Sequence, residues 1–345
     1  MRLSTLLATA IAAAGSGLAL AQAPVGEALQ RPAVAVKAPQ RAVLLAAAEA
    51  GTRIVAVGER GIVALSNDRG ASWHQAPSPV SVTFTMVRFA DEKNGVAVGH
   101  GGTVLTTEDA GTTWRVRLDG RRLATLAKAA ASTPEALRDA ERLIADGPDK
   151  PFLDVLQWDA KRMLAVGAYG LAFYSADGGE SWTSWMDRLP NPKALHWYVA
   201  RRAGNSLLLA GEQGLLARSD DGGQTFQAMS TPYKGSWFSG ELQADGKIVL
   251  GGLRGNVWRS TDGGAQWSQI VSPVPAAITA MAVAADGDLL LASQAGMVLR
   301  LQGDTLVPLK AQPVPMPSAL LPLQDGSLLS LGVAGVVSVA AKESP

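Results

Sequence analysis

Five carboxylates recur in one short phrase, and a repeated carboxylate is the first place to look for hydrolysis or cation binding. The phrases are Ser66…Asp68…Gly70…Trp73, Thr107…Asp109…Gly111…Trp114, Ser175…Asp177…Gly179…Trp182, Ser219…Asp221…Gly223…Phe226 and Ser260…Asp262…Gly264…Trp267. A glycosidase needs two carboxyl groups facing one sugar, roughly 5 to 10 Å apart. A calcium loop of the EF-hand kind needs a run of alternating oxygen ligands. The spacing offers no such run, and equivalent copies cannot all be one active site. The same residues suit a local role. Hydroxyl and carboxylate accept backbone N–H bonds inside a tight turn, glycine supplies a positive φ, and the aromatic ring packs. Asp68, Asp109, Asp177, Asp221 and Asp262 therefore read as structural turn-formers.

The remaining chemistry is sparse. Glu59, Glu212, Asp119 and Asp187 are the other carboxylates that could serve a glycoside hydrolase, sialidase-like or of another Asp-box type, and that is the alternative function. None lies in a recognisable catalytic phrase. A sialidase would also require an arginine triad and a Tyr–Glu pair, whereas Arg53-Ile54-Val55 lacks the proline of the usual opening and tyrosines number 4. His74, His100 and His196 have no metal-ligand spacing. The G-x-x-G spacings recur in hairpins, not at a strand–helix junction, so they are turns and not phosphate loops. No metal and no cofactor is expected. Cysteine is absent, which excludes thiol chemistry and disulfides. With 31 basic and 30 acidic side chains there is no basic field for nucleic acid.

The elements that must position these residues come from a longer repeat. AVGERGIVALS begins at Ala56, AVGHGGTVLTT at Ala97, AVGAYGLAFYS at Ala165 and LAGEQGLLARS at Leu209. LGGLRGNVWRS follows at Leu250, LASQAGMVLRL at Leu291 and SLGVAGVVSVA at Ser330. The third residues, Gly58, Gly99, Gly167, Gly211, Gly252, Ser293 and Gly332, are 41, 68, 44, 41, 41 and 39 apart. A period near forty built from short β-type segments is the mark of propeller blades. The fold class is all-β, a seven-bladed β-propeller spanning 22–345. The chain ends soon after the third strand of copy seven, so Arg31–Lys37, with Val34 and Val36, is expected to supply a fourth strand and close the ring.

The long step of 68 locates an insertion, 118–150, between blades two and three. Arg121–Ala131 is rich in Ala, Leu, Lys and Arg. Thr133-Pro134-Glu135 reads as a helix N-cap with proline at the first position. Leu137, Ala140 and Ile144 form one expected apolar face, with Leu143 beside it, and Gly147-Pro148 ends the segment. This predicts a helical hairpin. At the N-terminus, Met1-Arg2 and an apolar run to Leu20, with Ala19 and Ala21, predict a cleaved signal peptide over 1–21 and a periplasmic mature protein.

Turns alternate between the two faces of a propeller. The second turns therefore share a face with the insertion, and the acidic phrases occupy the other. On the insertion side the candidate partner contacts are Arg60, His100, Tyr169 and Arg254 in second turns, with Trp185, Trp197, Tyr233 and Trp237 in nearby connections. Arginine and large aromatics are the residue types that dominate interface energetics.

The AVG-x-x-G phrase followed by the turn and tryptophan, strongest over Ile54–Trp114 and Met163–Trp267, resembles the photosystem II assembly and stability factor family with its BNR/Asp-box-like repeats. The helical insertion and Ala-rich leader make it look like the non-photosynthetic bacterial branch. The resemblance implies a non-catalytic assembly scaffold, peripheral to the membrane. Its implied partner is a membrane protein or envelope complex, for which an RND-type exporter is the named candidate.

Overall fold

The computed structural model describes residues 27–339; the expected signal peptide lies outside the described residues. Seven antiparallel sheets follow one another along the chain, six of four strands and a last one of three. Their first strands are Leu44–Ala50, Phe84–Phe89, Phe152–Gln157, Trp197–Ala203, Trp237–Leu242, Ile278–Val283 and Pro317–Pro322. Successive first strands touch one another around the ring, and that of blade seven touches that of blade one.

Why the repeat phrase looks as it does is clear from packing. The second strands, such as Gly95–Gly99 and Met163–Gly167, are buried along their whole length, because neighbouring blades cover both sheet faces. Such strands read as continuous apolar runs rather than alternating ones. The third residue of the phrase is glycine because the chain passes close by. A Cβ on Gly58, Gly99, Gly167 or Gly211 would lie 2.0 to 2.2 Å from the carbonyl oxygen of Val43, Thr83, Pro151 or His196. The apolar core consequently lies between blades, as in the cluster of Val55, Val57, Leu65, Phe84, Leu105 and Trp114 that joins blades one and two.

The expected fourth strand of blade seven does not form. Ala33 N–H donates to Ser78 O, Val36 N–H donates to Gln75 Oε1, and Gln75 Nε2 donates to Val34 O, so this segment lies along blade one. Val34 is 71 % exposed. The side-chain amide of Gln75 takes the backbone groups that a ladder would have used, and Pro32 and Pro39 supply no donors. Among the described residues blade seven keeps three strands. Its contact with blade one is mainly apolar, with Leu331 beside Leu44 and Ile62, and Leu323 and Leu329 beside Ile54, and Arg69 pairs with Asp325 at 3.0 Å.

Between blades two and three lie two helices, α1 (Gly120–Ala130) and α2 (Pro134–Ala145). The Asp119 carboxylate caps α1 by accepting from the Arg121 and Arg122 N–H groups, and Thr133 Oγ1 caps α2 by accepting from Ala136. Leu123, Ala127, Ala140 and Leu143 join the core beneath them, together with Phe152 and Trp182. The buried stripe of α2 thus differs from the expected one: Ala140 and Leu143 are inside, while Leu137 and Ile144 are 40 % and 48 % exposed. The anchor is tight, because Gly120 N–H donates to Gly101 O and a Cβ on Gly102 would come 2.8 Å from Gly120 Cα.

Candidate binding face

The two faces of the disc use their polar groups differently. On the box face each phrase closes on itself. In the second copy Thr107 Oγ1 donates to Asp109 Oδ1 at 2.8 Å and accepts from Gly111 N–H at 3.0 Å. Asp109 further accepts from the N–H and hydroxyl of Thr113, and Trp114 Nε1 donates to Gly111 O. Copies one, three and five repeat the main bonds, with the glycine carbonyl taking the Trp73, Trp182 or Trp267 indole. The fourth repeats the carboxylate bonds with Phe226 as its ring. Hydrogen bonds from the Ser72 hydroxyl and N–H, then from the Ser66 hydroxyl, hold the Asp68 carboxyl down at about 2. The Thr225 hydroxyl and N–H, with the Ser219 hydroxyl, hold Asp221 well below its usual range. These carboxylates are ionised and occupied by their own turns.

On the opposite face the second turns are built alike but carry different side chains. In Glu59–Ile62 the Ile62 N–H donates to Glu59 O, with Arg60 at φ 54° and Gly61 at φ 74°. Positive φ at both central residues defines a type I′ hairpin turn. Tyr169-Gly170, Gln213-Gly214 and Arg254-Gly255 repeat it. The site of positive φ at which Arg60, Tyr169 and Arg254 stand is therefore exposed by construction, and Tyr169 is 48 % exposed. His100 is also exposed, with Nδ1 3.8 Å from Asp149.

Three sequence-derived contacts require correction. Trp197 and Trp237 have no exposed surface and Trp185 only 6 %, so none can make first contact with a partner. Trp197 and Trp237 begin the first strands of blades four and five and fill the gap beneath the second turns. Trp185 stacks on Tyr174 with centroids 4.3 Å apart and carries the Arg188 guanidinium 4.7 Å from its ring. Tyr233 is half-buried, tilted against Trp237 at 4.7 Å.

The remaining carboxylates are also held by the frame. Glu59 Oε1 accepts from Val43 N–H and Glu212 Oε2 from His196 N–H, both at 3.2 Å and at equivalent places in blades one and four. Asp119 caps α1. Only Asp187 of the four lies exposed on a groove wall. Among the described residues no three His, Asp or Glu side chains gather as they would around a cation.

Two constellations escaped the sequence reading because the first strands vary too much to align by phrase. One is an aromatic tract at the mouth of the ring. Tyr169 and His196 have centroids 5.0 Å apart, His196 and Tyr198 6.0 Å, and Tyr198 and Phe238 5.5 Å. Tyr198 and Phe238 are the unpaired residues of a bulge near the start of their strands. A bulge of this kind re-aims a side chain. Burial, and then the Glu212 charge, push the Tyr198 hydroxyl above its ordinary value. Their signal in the sequence was the second place of each first strand, filled by Leu45, Thr85, Leu153, Tyr198, Phe238, Thr279 and Ser318.

The other is a charge chain across the first strands of blades two to five. Asp154, 1 % exposed, receives Arg88 Nη2 at 2.9 Å, Arg201 Nη1 at 2.6 Å and the Ala200 N–H at 3.0 Å, and Arg201 continues to Glu241 at 3.0 Å. Burial pushes the Asp154 carboxyl up, but the two guanidiniums and the backbone donors outweigh it and hold it below its ordinary value. Paired charges of this kind persist in a core only when their hydrogen bonds are satisfied.

Beside the tract, a groove of about 670 Å³ runs between α1–α2 and the blade three-to-four connection. Its wall includes Ala136, Ala140, Met186 and Leu189, and its margin carries Glu135, Asp139 and Asp187.

No family model matches the chain. No curated protein matches it either. Solved structures do. YCF48, a photosystem II assembly factor, in complex with a D1 peptide superposes with a TM-score of 0.66 at 16 % identity, covering 90 % of this chain and 97 % of that one. YCF48 from Cyanidioschyzon merolae gives 0.65 at 16 % identity, over 90 % and 99 %. The extracellular domain of the one-component system BT4673 from B. thetaiotaomicron gives 0.60 at 16 % identity, over 90 % of this chain and 40 % of that one. What this chain shares with them is the fold, the seven-bladed β-propeller.

Proposed function

We propose that this protein is a non-catalytic scaffold outside the cytoplasm. It binds a membrane protein or envelope complex through the second-turn face and aids its assembly or stability, with an RND-type exporter as the partner to test first. One observation carries this reading: the aromatic tract and the groove lie together on a face whose side chains differ from blade to blade. On the opposite face the recurring hydroxyls and carboxylates are consumed by five copies of one turn. Half-exposed aromatic side chains beside a groove are what protein recognition uses. The YCF48 structure with a bound peptide supports peptide binding by a propeller of this shape. The resemblance and the expected leader supply the envelope setting.

The test is co-purification of the tagged full chain from cell-envelope membranes, with each recovered partner quantified. Tyr169→Ala is expected to lower recovery about tenfold, as loss of an interface aromatic does. Gln224→Ala, on a box turn, should leave it unchanged. Equal recovery by both variants and the wild type contradicts the assignment of the face.

A further inference from the structure

The groove beside α2 has a chemistry of its own. Its wall combines small and medium apolar side chains, Ala127, Ala136 and Ala140 from the helices with Met186 and Leu189 opposite, with the polar side chains of Ser132, Thr133, Ser184 and Asn191. Its volume, about 670 Å³, is that of a cleft that receives a few side chains rather than a flat contact. The three carboxylates on its lining are those of Glu135, Asp139 and Asp187, and no lysine, arginine or histidine lines it. In a chain of net charge +1 this is a local excess of negative charge.

Most of the neighbouring cations are directed elsewhere; Lys193, between the lining residues Pro192 and Ala194, is exposed beside the groove without lining it. Lys128 pairs with Glu141 at 3.3 Å, and Lys150 pairs with Asp146 at 3.5 Å and lies over the Tyr169 ring at 5.3 Å. Arg188 covers Trp185. Arg138 approaches Glu135 at 3.8 Å, but both side chains are largely exposed, so that pair is weak. The far wall is held in shape before any partner arrives. Asn191 donates through Nδ2 to Leu195 O and accepts from Leu195 N–H, while Ala194 is fixed at φ 48°. A preformed wall lowers the ordering cost of binding.

We propose that this groove receives a short basic polypeptide segment, its small apolar side chains seated between α2 and Met186 and its lysine or arginine side chains meeting Asp139, Asp187 and Glu135. The inference rests on the protein-binding reading and gives the partner's segment a chemistry. Charge complementarity selects the segment: opposite charge speeds encounter, and a like-charged segment is rejected.

The probes are two fluorescein-labelled decapeptides, KALKAVKALK and EALEAVEALE, titrated with the full chain and followed by anisotropy at low and high salt. The basic peptide is expected to bind, to weaken as salt rises, and to lose about tenfold in affinity with the Asp139→Asn/Asp187→Asn double variant. Ala136→Trp, which fills the groove without altering charge, should abolish binding while thermal unfolding stays as in the wild type. Equal binding of the acidic peptide overturns the proposal. So does failure of the basic peptide to bind, or its unchanged binding by both variants. If these fail while Tyr169→Ala still lowers recovery of the native partner, the groove assignment falls and the scaffold reading stands. If both fail, the scaffold reading falls too.

Discussion

Blade three carries both kinds of turn within a few residues of each other. At its third turn Ser175, Asp177, Gly179, Ser181 and Trp182 satisfy one another, with the Ser175 hydroxyl on both Asp177 and the Gly179 N–H. At its second turn Tyr169 stands in the same backbone geometry as Arg60, Gln213 and Arg254, and its ring leaves the turn to meet His196. The box turn fixes side-chain identity because its hydrogen bonds run from side chain to backbone. The second turn fixes only the backbone, through Gly170 at φ 71° and the Leu171 N–H bond to Ala168 O, and leaves its leading side chain free to vary. Repetition marks the residues that hold the frame, and variation within a fixed turn marks those that can recognise a partner.

Breaking the frame should be far more costly than altering the face. The largest effect is expected at Asp154→Ala, which leaves Arg88 and Arg201 without their shared carboxylate. Removing one partner from a buried charge group destabilises by about 3–5 kcal/mol, and urea unfolding would read it. A loss below about 1 kcal/mol would show that the chain of charges is solvated rather than structural. Next comes Asp109→Ala, expected at about 2 kcal/mol, since several short bonds within one turn are lost together.

The boxes also predict an acid limit. Their carboxyls titrate lower in the folded chain than in the unfolded one. The stability they provide is therefore complete above their unfolded value near 4 and falls as pH drops towards the folded value, about 2 for Asp68. Urea midpoints should fall between pH 4 and pH 2. They should fall less in a variant with Asp109 and Asp177 both changed to Ala, when each protein is compared with its own midpoint at pH 7. The smallest effect is expected at Arg254→Gly, where relief of the left-handed backbone should stabilise by about 0.5–1 kcal/mol. A destabilisation there would show that the Arg254 side chain holds its turn.

The frame was legible because propeller blades repeat. Gly58, Gly99 and Gly167 are demanded by a carbonyl oxygen just before the first strand of the same blade, and Asp68 and Asp109 by their own turns, so the same residues had to recur. What was not legible depends on which segment wins a competition. Val34 and Val36 looked like a closing strand, but Gln75 captured their backbone groups. Trp197 and Trp237 looked like contacts because aromatics suit interfaces, yet the residue that opens a first strand is fully buried, as Leu44, Phe84, Phe152 and Ile278 are at the same place. Tyr198 and Phe238 were hidden because a bulge, which sequence alternation does not show, changes their direction.

The most direct test of the division between the faces is photo-crosslinking from one blade. A benzoylphenylalanine is placed at Gln213, in the second turn of blade four, or at Gln224, in its box turn. Both side chains are exposed, so both probes reach solvent. In envelope membranes carrying the native partner, crosslinked partner is expected from position 213 and not from position 224. Crosslinking from position 224 as strong as or stronger than from 213 would contradict the assignment of the binding face.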